Sequence, residues 1–302
     1  MRPWIRRSIL WLGLALCLYA VWQAHAHIGD EVRRIDAQTW ILLSVLLGLS
    51  WFLAVAAWRQ YLAAYTGDRA AWRLAVRQIG ILLVGKYVPT GVFGFVARLY
   101  DEPGARRGPL LWAGIAEQSI GVAMPVCFGG LLLLLAHTGH PAWIALVPVL
   151  PAFALGGLLI LHRVAGRIPL LRRYPNGPEP GRLRALQAAA LQLGVQVAWA
   201  GAILVLVSAL FGVDPYAACG VAGAFGLAIA AGMLVVFVPG GIGVREAVLI
   251  GLAAPWLGTS QALFVAGLLR IFSTVVDLVG GAAAALLGSG EDSAPRTSGD
   301  RG

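Results

Sequence analysis

Several stretches of this chain each exceed the roughly 18 apolar residues that a helix needs to cross about 30 Å of hydrocarbon. They leave no room for a folded soluble domain. Inside hydrocarbon every backbone donor and acceptor must be satisfied within the protein, so such stretches fold as helices. The sequence therefore predicts an all-α, polytopic membrane protein with about seven or eight transmembrane helices. A helical membrane domain is expected over residues 1–288, followed by a Gly-, Ser- and charge-rich tail over 289–302 that is expected to be disordered. Composition agrees: 59% of the 302 residues are hydrophobic and 12% are charged, against about 25% charged in an ordinary soluble domain.

The spans are read at roughly 8–24, 39–64, 109–136, 142–162, 185–211, 217–238 and 259–287. Two broken segments, 79–97 and 239–257, stand between them. At the N-terminus Arg2, Arg6 and Arg7 precede the apolar run Ile9 to Val21, and Ala24-His25-Ala26 resembles a signal-peptidase site. The run is long for a signal peptide, contains Trp11 and Tyr19, and is followed at once by further spans. It is read as an uncleaved first helix.

The net charge is +9, carried by 22 arginines and a single lysine, Lys86. The basic residues fall in short loops between spans, the pattern of cytoplasmic retention and of contact with anionic headgroups, and no nucleic-acid partner is expected. Arg-rich stretches at the N-terminus, around 59–77 and over 163–184 alternate with loops of little net charge. This places the N-terminus in the cytoplasm. Cys17, Cys127 and Cys219 lie inside apolar spans without metal-ligand spacing and read as packing residues. His25, His27, His137 and His140 lack a partner that would complete a metal site, and no GxSxG, Walker or GxGxxG pattern stands in a usable context. Neither metal nor cofactor is expected, and no enzyme.

Trp4, Trp22, Trp40, Trp58, Trp112, Trp143 and Trp256 sit near span ends and read as an interfacial belt. Gly220, Gly223 and Gly226 thin one face of a span for close packing.

Residues 79–97 are long enough to cross, but Gly85, Lys86, Pro89, Gly91 and Gly94 interrupt them and basic residues flank both ends. This is read as a re-entrant element, tolerated only where its backbone is buried in protein or lines a cavity. Val88-Pro89-Thr90-Gly91-Val92-Phe93-Gly94 and Val238-Pro239-Gly240-Gly241-Ile242-Gly243 share the pairing of proline with closely spaced glycines. Broken helices in two halves of a chain point to a transporter binding site, with coincidence among 39 glycines and 16 prolines as the plainer alternative. Proline removes a backbone donor and glycine frees the dihedrals, so backbone groups at Gly240 and Gly241 are left to face a substrate.

Lys86, Glu117, Arg245, Glu246, Arg270 and Asp277 fall at probable membrane depth. Unpaired, six such charges would cost on the order of 15–20 kcal/mol, so they must face one another or a hydrated cavity. Arg270 and Asp277 lie on one helix face about 10 Å apart along its axis, better placed to meet other helices than each other.

At the two broken segments the chain resembles a known family. Gly85-Lys86-Tyr87-Val88-Pro89, followed by Gly91, Gly94 and Arg98, is similar to the first signature of the lysylphosphatidylglycerol synthase transmembrane region. Pro239-Gly240-Gly241-Ile242-Gly243-Val244-Arg245-Glu246 is similar to its second. Thr90 and Phe93 stand where many members have glycine. The resemblance implies a lipid-translocating helical domain with re-entrant segments. Lys86, Pro89, Arg98, Pro239, Arg245 and Glu246 carry over as substrate-binding residues, with Gly240 and Gly241 contributing backbone. Glu117, Arg270 and Asp277 are expected to balance charge or relay protons. No aminoacyl-transferase domain is expected after Leu287, and hence no synthesis of lysylated lipid.

The function expected is translocation of an anionic phospholipid, a polyprenyl-linked glycolipid or a hopanoid-related lipid, its headgroup entering a hydrated cavity between the two broken elements. The rival readings are an integral-membrane transferase acting on a lipid carrier and a non-catalytic membrane partner of a lipid-synthesis enzyme. Self-association and such an enzyme are the partners left open.

Overall fold

The computed structural model describes residues 35–87, 93–101, 107–165, 179–235 and 239–288. These residues are helical with no strand. The helices are α1 (Ala37–Thr66), α2 (Trp72–Gly85), α3 (Phe93–Leu99), α4 (Arg107–Thr138), α5 (Leu150–Ala165), α6 (Arg182–Phe211), α7 (Pro215–Leu234), α8 (Val244–Leu257) and α9 (Thr259–Gly288). A 3-10 segment, Pro141–Val149, leads into α5, and a shorter one, Pro239–Gly241, precedes α8. Six of these stretches are long and apolar enough to cross a membrane: α1, α4, Pro141–Val164, α6, α7 and α9. The expected first span, the side chain of Pro239, Pro89 and the tail from 289 lie outside what is described.

Local chemistry sets the ends. Asp36 caps α1 by accepting from the Thr39 amide at 2.9 Å, and Asp214 caps α7 by accepting from Tyr216 and Ala217. Gly67 and Gly212 close α1 and α6 in the left-handed conformation, at φ 81° and 61°. The described turns at Gly67, Gly212 and Gly258 are short, so the helices they join run antiparallel. One end of the bundle carries Arg69, Arg73, Arg77, Arg107, Arg163, Arg182 and Arg184. The described turns at the far end, around Asp36, His140, Asp214 and Gly258, contain no lysine or arginine.

Cross-helix contacts give the topology of the broken segments. Gly94 packs on Leu82 and Gly85, the Arg98 guanidinium reaches the Gln78 carbonyl, and Arg77 pairs with Asp101 at 2.7 Å. The numbers rise on α3 as they fall on α2, so the two form a tight antiparallel hairpin with both feet at the arginine-rich end. α9 runs alongside α2 in the opposite sense, with Ala284 beside Gly80, Gly281 beside Val84 and Asp277 beside Lys86. Lys86, at the described end of α2, thus lies beside the middle of the 30-residue helix α9, about 16 Å from its end.

The second break is arranged in the opposite sense. Gly232 on α7 meets Gly241 and Arg245, and Gly220 meets Trp256, so α7 and α8 form a hairpin with both feet at the far end. Met233, close to its tip, touches Gly121 near the middle of the 32-residue α4. α8 then turns at Gly258 (φ 75°) into α9, and Glu246 lies beside Arg270, again about 16 Å from a helix end. The two hairpins enter from opposite ends and meet at mid-bundle, where the Gly240 amide donates to the Lys86 carbonyl at 2.9 Å.

The small-residue face of α7 packs as expected. Gly223 and Gly226 lie against Gly129 and Pro125 of α4, close enough that a side chain on either would strike backbone. Two of the expected belt tryptophans do not sit at an interface: Trp58 is fully buried and Trp112 nearly so. Their place near span ends is real, but these ends are covered by neighbouring helices.

Candidate functional site

Where the tips meet, α9 presents Arg270, Thr274 and Asp277, spaced i, i+4 and i+7 on one face. Asp277, 4% exposed, accepts from the Lys86 ammonium at 2.6 Å and from the Tyr87 hydroxyl at 2.6 Å. Tyr87 also lies 3.4 Å from the Thr274 hydroxyl. One turn further along, Arg270 donates to the Gly240 carbonyl at 3.0 Å and ion-pairs with Glu246 at 3.6 Å. The Glu246 carboxylate in turn accepts from the Gly243 amide at 2.6 Å, satisfying one open donor at the start of α8. A single helix therefore clamps both broken elements.

Glycine is required at the second tip. Gly240 and Gly241 take φ of 58° and 66°, where a side chain is strained. A Cβ on Gly241 would also approach the Gly232 Cα at 2.8 Å. The turn is thus narrow enough to lay its backbone between Lys86 and Arg270.

The cluster holds three cations (Lys86, Arg245, Arg270) against two carboxylates (Glu246, Asp277), a formal excess of one positive charge. Arg245 makes no ion pair with any described residue; its stem packs on Gly232 and its guanidinium lies 5.8 Å from the Phe225 ring. Arg270 Nη2 is buried without a hydrogen-bond partner. Buried donors are nearly always satisfied by protein, water or ligand, so the site lacks an acceptor and a negative charge. The cavity lined by Arg245, Glu246 and Arg270 has a volume of about 10 Å³, room for about one water. Five of the six charges expected at membrane depth converge here, Glu117 being the exception, and the space that Arg245, Glu246 and Arg270 line among the described residues is smaller than a headgroup.

Arg98 and Glu117 belong to a second buried cluster. Arg98 is 1% exposed, forms a two-pronged ion pair with Glu117, donates to the Gln78 carbonyl and lies 3.7 Å over the Trp58 ring. Trp58 in turn donates to the Gln78 side chain at 2.8 Å. This arrangement anchors the returning arm of the first hairpin to α1, α2 and α4, and leaves Arg98 fully engaged. Breaking a buried pair from one side strands a charge, at about 3–5 kcal/mol. Glu117→Leu should therefore lower thermal stability by about that much, measured by unfolding of the purified protein in micelles.

The sequence pattern assigned no site role to Tyr87, Thr274 or Gln78, and read Trp58 as an interfacial residue. Tyr87 was in view as part of Gly85-Lys86-Tyr87, but an aromatic in an apolar span carries no signal of its own. Thr274 was findable, since it shares the helix face of Arg270 and Asp277.

A bundle of apolar helices with two opposed, interrupted hairpins and a charged cluster at their junction defines a polytopic membrane protein with a polar centre at mid-depth. The chain belongs to the family described as lysylphosphatidylglycerol synthase TM region, whose model matches residues 10–281. No curated protein and no solved structure matches it significantly. Membership of that family makes this a membrane protein related to lipid.

Proposed function

We propose that the chain moves a lipid with an anionic headgroup between the leaflets of a bacterial inner membrane, without covalent change to the lipid. One observation carries the reading. Two hairpins from opposite ends meet midway along α9 in a cluster with one cation in excess and a buried Arg270 donor lacking an acceptor. A phosphate would supply both the charge and the acceptor, and arginine's planar fork suits it. Its acyl or prenyl chains would remain in the bilayer. The hairpins are read as re-entrant elements, and the first span, 8–24, as one of seven or eight helices.

Passage requires the described contacts between the two breaks to part, since the space lined by Arg245, Glu246 and Arg270 holds no headgroup. The Gly240–Lys86 backbone hydrogen bond and the Asp277 and Arg270 clamps are what must yield. Positive residues concentrate in cytoplasmic loops, so the arginine-rich end is assigned to the cytoplasm, and the N-terminus with it. No ATP-binding motif is present in the sequence, and a gradient or mass action is taken to drive transport.

Liposomes reconstituted with the protein and headgroup-labelled phosphatidylglycerol test the reading, with a membrane-impermeant quencher added outside. Inner-leaflet label should become quenched well faster than in protein-free liposomes, and mass spectrometry should find the lipid unchanged. Persistent protection of about half the label would overturn transport. A change of lipid mass on adding a donor substrate would favour the transferase reading.

A further inference from the structure

A charge count singles out one residue of the junction. The sequence holds 14 aspartates and glutamates, of which only Glu117, Glu246 and Asp277 stand within the apolar runs; the others fall in turns and termini. Each of the three is matched one to one: Asp277 by Lys86, Glu117 by Arg98 and Glu246 by Arg270. No carboxylate of the apolar runs is left for Arg245. Residues 88–92 and 236–238, which complete the two breaks in the sequence, contain no ionisable side chain and leave the count unchanged.

Arg245 is also placed to meet a ligand. Its stem lies against Gly232 of α7, where even an added methyl group would meet the Arg245 Cγ at 2.3 Å. Its guanidinium lies 5.8 Å from the Phe225 ring, and the residue lines the small space at the junction with Glu246 and Arg270. Arg98 is 1% exposed and sealed against its partners, whereas Arg245 is partly exposed. An unmatched cation at mid-bundle calls for an anion from outside the chain.

We propose, on the strength of the transport reading, that Arg245 sets the charge of the lipid this junction takes: a phosphodiester headgroup of net charge −1 that carries no amine. Whichever cation the phosphate touches, the junction then closes at zero. A zwitterionic headgroup brings an ammonium with its phosphate, so the excess cation persists. A lysylated headgroup sets two ammonium groups against one phosphate and adds a positive charge to a site that already has one. Like charges brought together away from water cost enough to lower affinity at least about tenfold. The junction is thus opposed to the lysylated lipid in the family's description.

The test offers the full chain, in maltoside micelles, phosphatidylglycerol, phosphatidylethanolamine or lysyl-phosphatidylglycerol, and counts retained lipid by native mass spectrometry. Phosphatidylglycerol should be retained saturably, with an affinity at least about tenfold above the other two. Arg245→Gln, which removes the excess charge, should bring phosphatidylglycerol and phosphatidylethanolamine within about twofold of each other. Arg245→Lys, which keeps the charge, should preserve the preference. Equal retention of the three lipids by the wild type, no saturable retention, or a preference unchanged in Arg245→Gln overturns the proposal. The wild-type comparison decides even if Arg245→Gln fails to fold. The same lipids labelled on one acyl chain report leaflet exchange in liposomes. A binding preference without exchange removes the transport reading and leaves the charge rule standing.

Discussion

Replacing Asp277 by leucine should cost about 3 kcal/mol or more of stability, and replacing Lys86 by methionine in the same chain should restore most of it. Asp277 is almost wholly buried and accepts both the Lys86 ammonium and the Tyr87 hydroxyl. Removing it leaves a cation and a hydroxyl without their acceptor at mid-bundle. Losing one partner of a buried pair typically costs 3–5 kcal/mol, whereas replacing both with apolar residues of similar volume is often neutral. Lys86 is 33% exposed, so it can partly relieve itself, and the lower end of that range is expected. The check is thermal unfolding in micelles of Asp277→Leu, Lys86→Met and the double variant. Equal instability of the double and the worse single variant would mean that the pair is not the unit described here.

The second large effect is expected at Gly85. A Cβ there would lie 2.2 Å from the Gly94 Cα and 2.7 Å from its amide nitrogen. The obstacle is backbone, with no flexible side chain to swing aside, so the two arms of the hairpin must separate. Gly85→Val should therefore exceed the 1–3 kcal/mol typical of overpacked cores. It should also displace the Lys86–Tyr87 tip from Asp277. Gly130 on α4 is the control, since nothing lies within 4 Å of its added Cβ. Gly130→Ala should be neutral or slightly stabilising, because alanine favours a helix over glycine by up to about 1 kcal/mol. Comparable losses at Gly85 and Gly130 would contradict the close approach.

Much of this architecture was legible in the sequence. Apolar run lengths gave the long helices, because crossing hydrocarbon imposes both length and composition. The interruptions at Gly85–Gly94 and Pro239–Gly243 were visible because proline and glycine act through local backbone chemistry. The charges were recognisable as a problem needing a shared solution, since burying six of them alone is prohibitive. What sequence could not provide was partner choice. Arg98, just past the interrupted segment that holds Lys86, looked equivalent to it as a substrate-binding cation, yet it folds back with the returning arm onto Glu117 while Lys86 goes forward to Asp277. Which way each points depends on the antiparallel register of α2 and α3, a tertiary fact. Nor could it show that Trp58, near a span end, lies under Arg98 rather than at an interface, because burial depends on which neighbour covers the helix.

The opposition of the two hairpins was equally hidden. The shared Pro–Gly pattern hinted at a repeat but carried no direction. Direction emerges only from the pairings of Asp277 with Lys86 and of Arg270 with Glu246 at equal distances from the two ends of α9.

Under the proposed function, Lys86 leaves Asp277 when the breaks part and holds the lipid phosphate, a role beyond joining the two elements. Lys86→Met/Asp277→Leu separates the two roles, since it should be about as stable as wild type. The deciding measurement is the rate of one-sided quenching of headgroup-labelled phosphatidylglycerol in liposomes containing this double variant. A rate reduced to that of protein-free liposomes is expected from a well-folded chain; quenching at the wild-type rate would contradict passage through this pair.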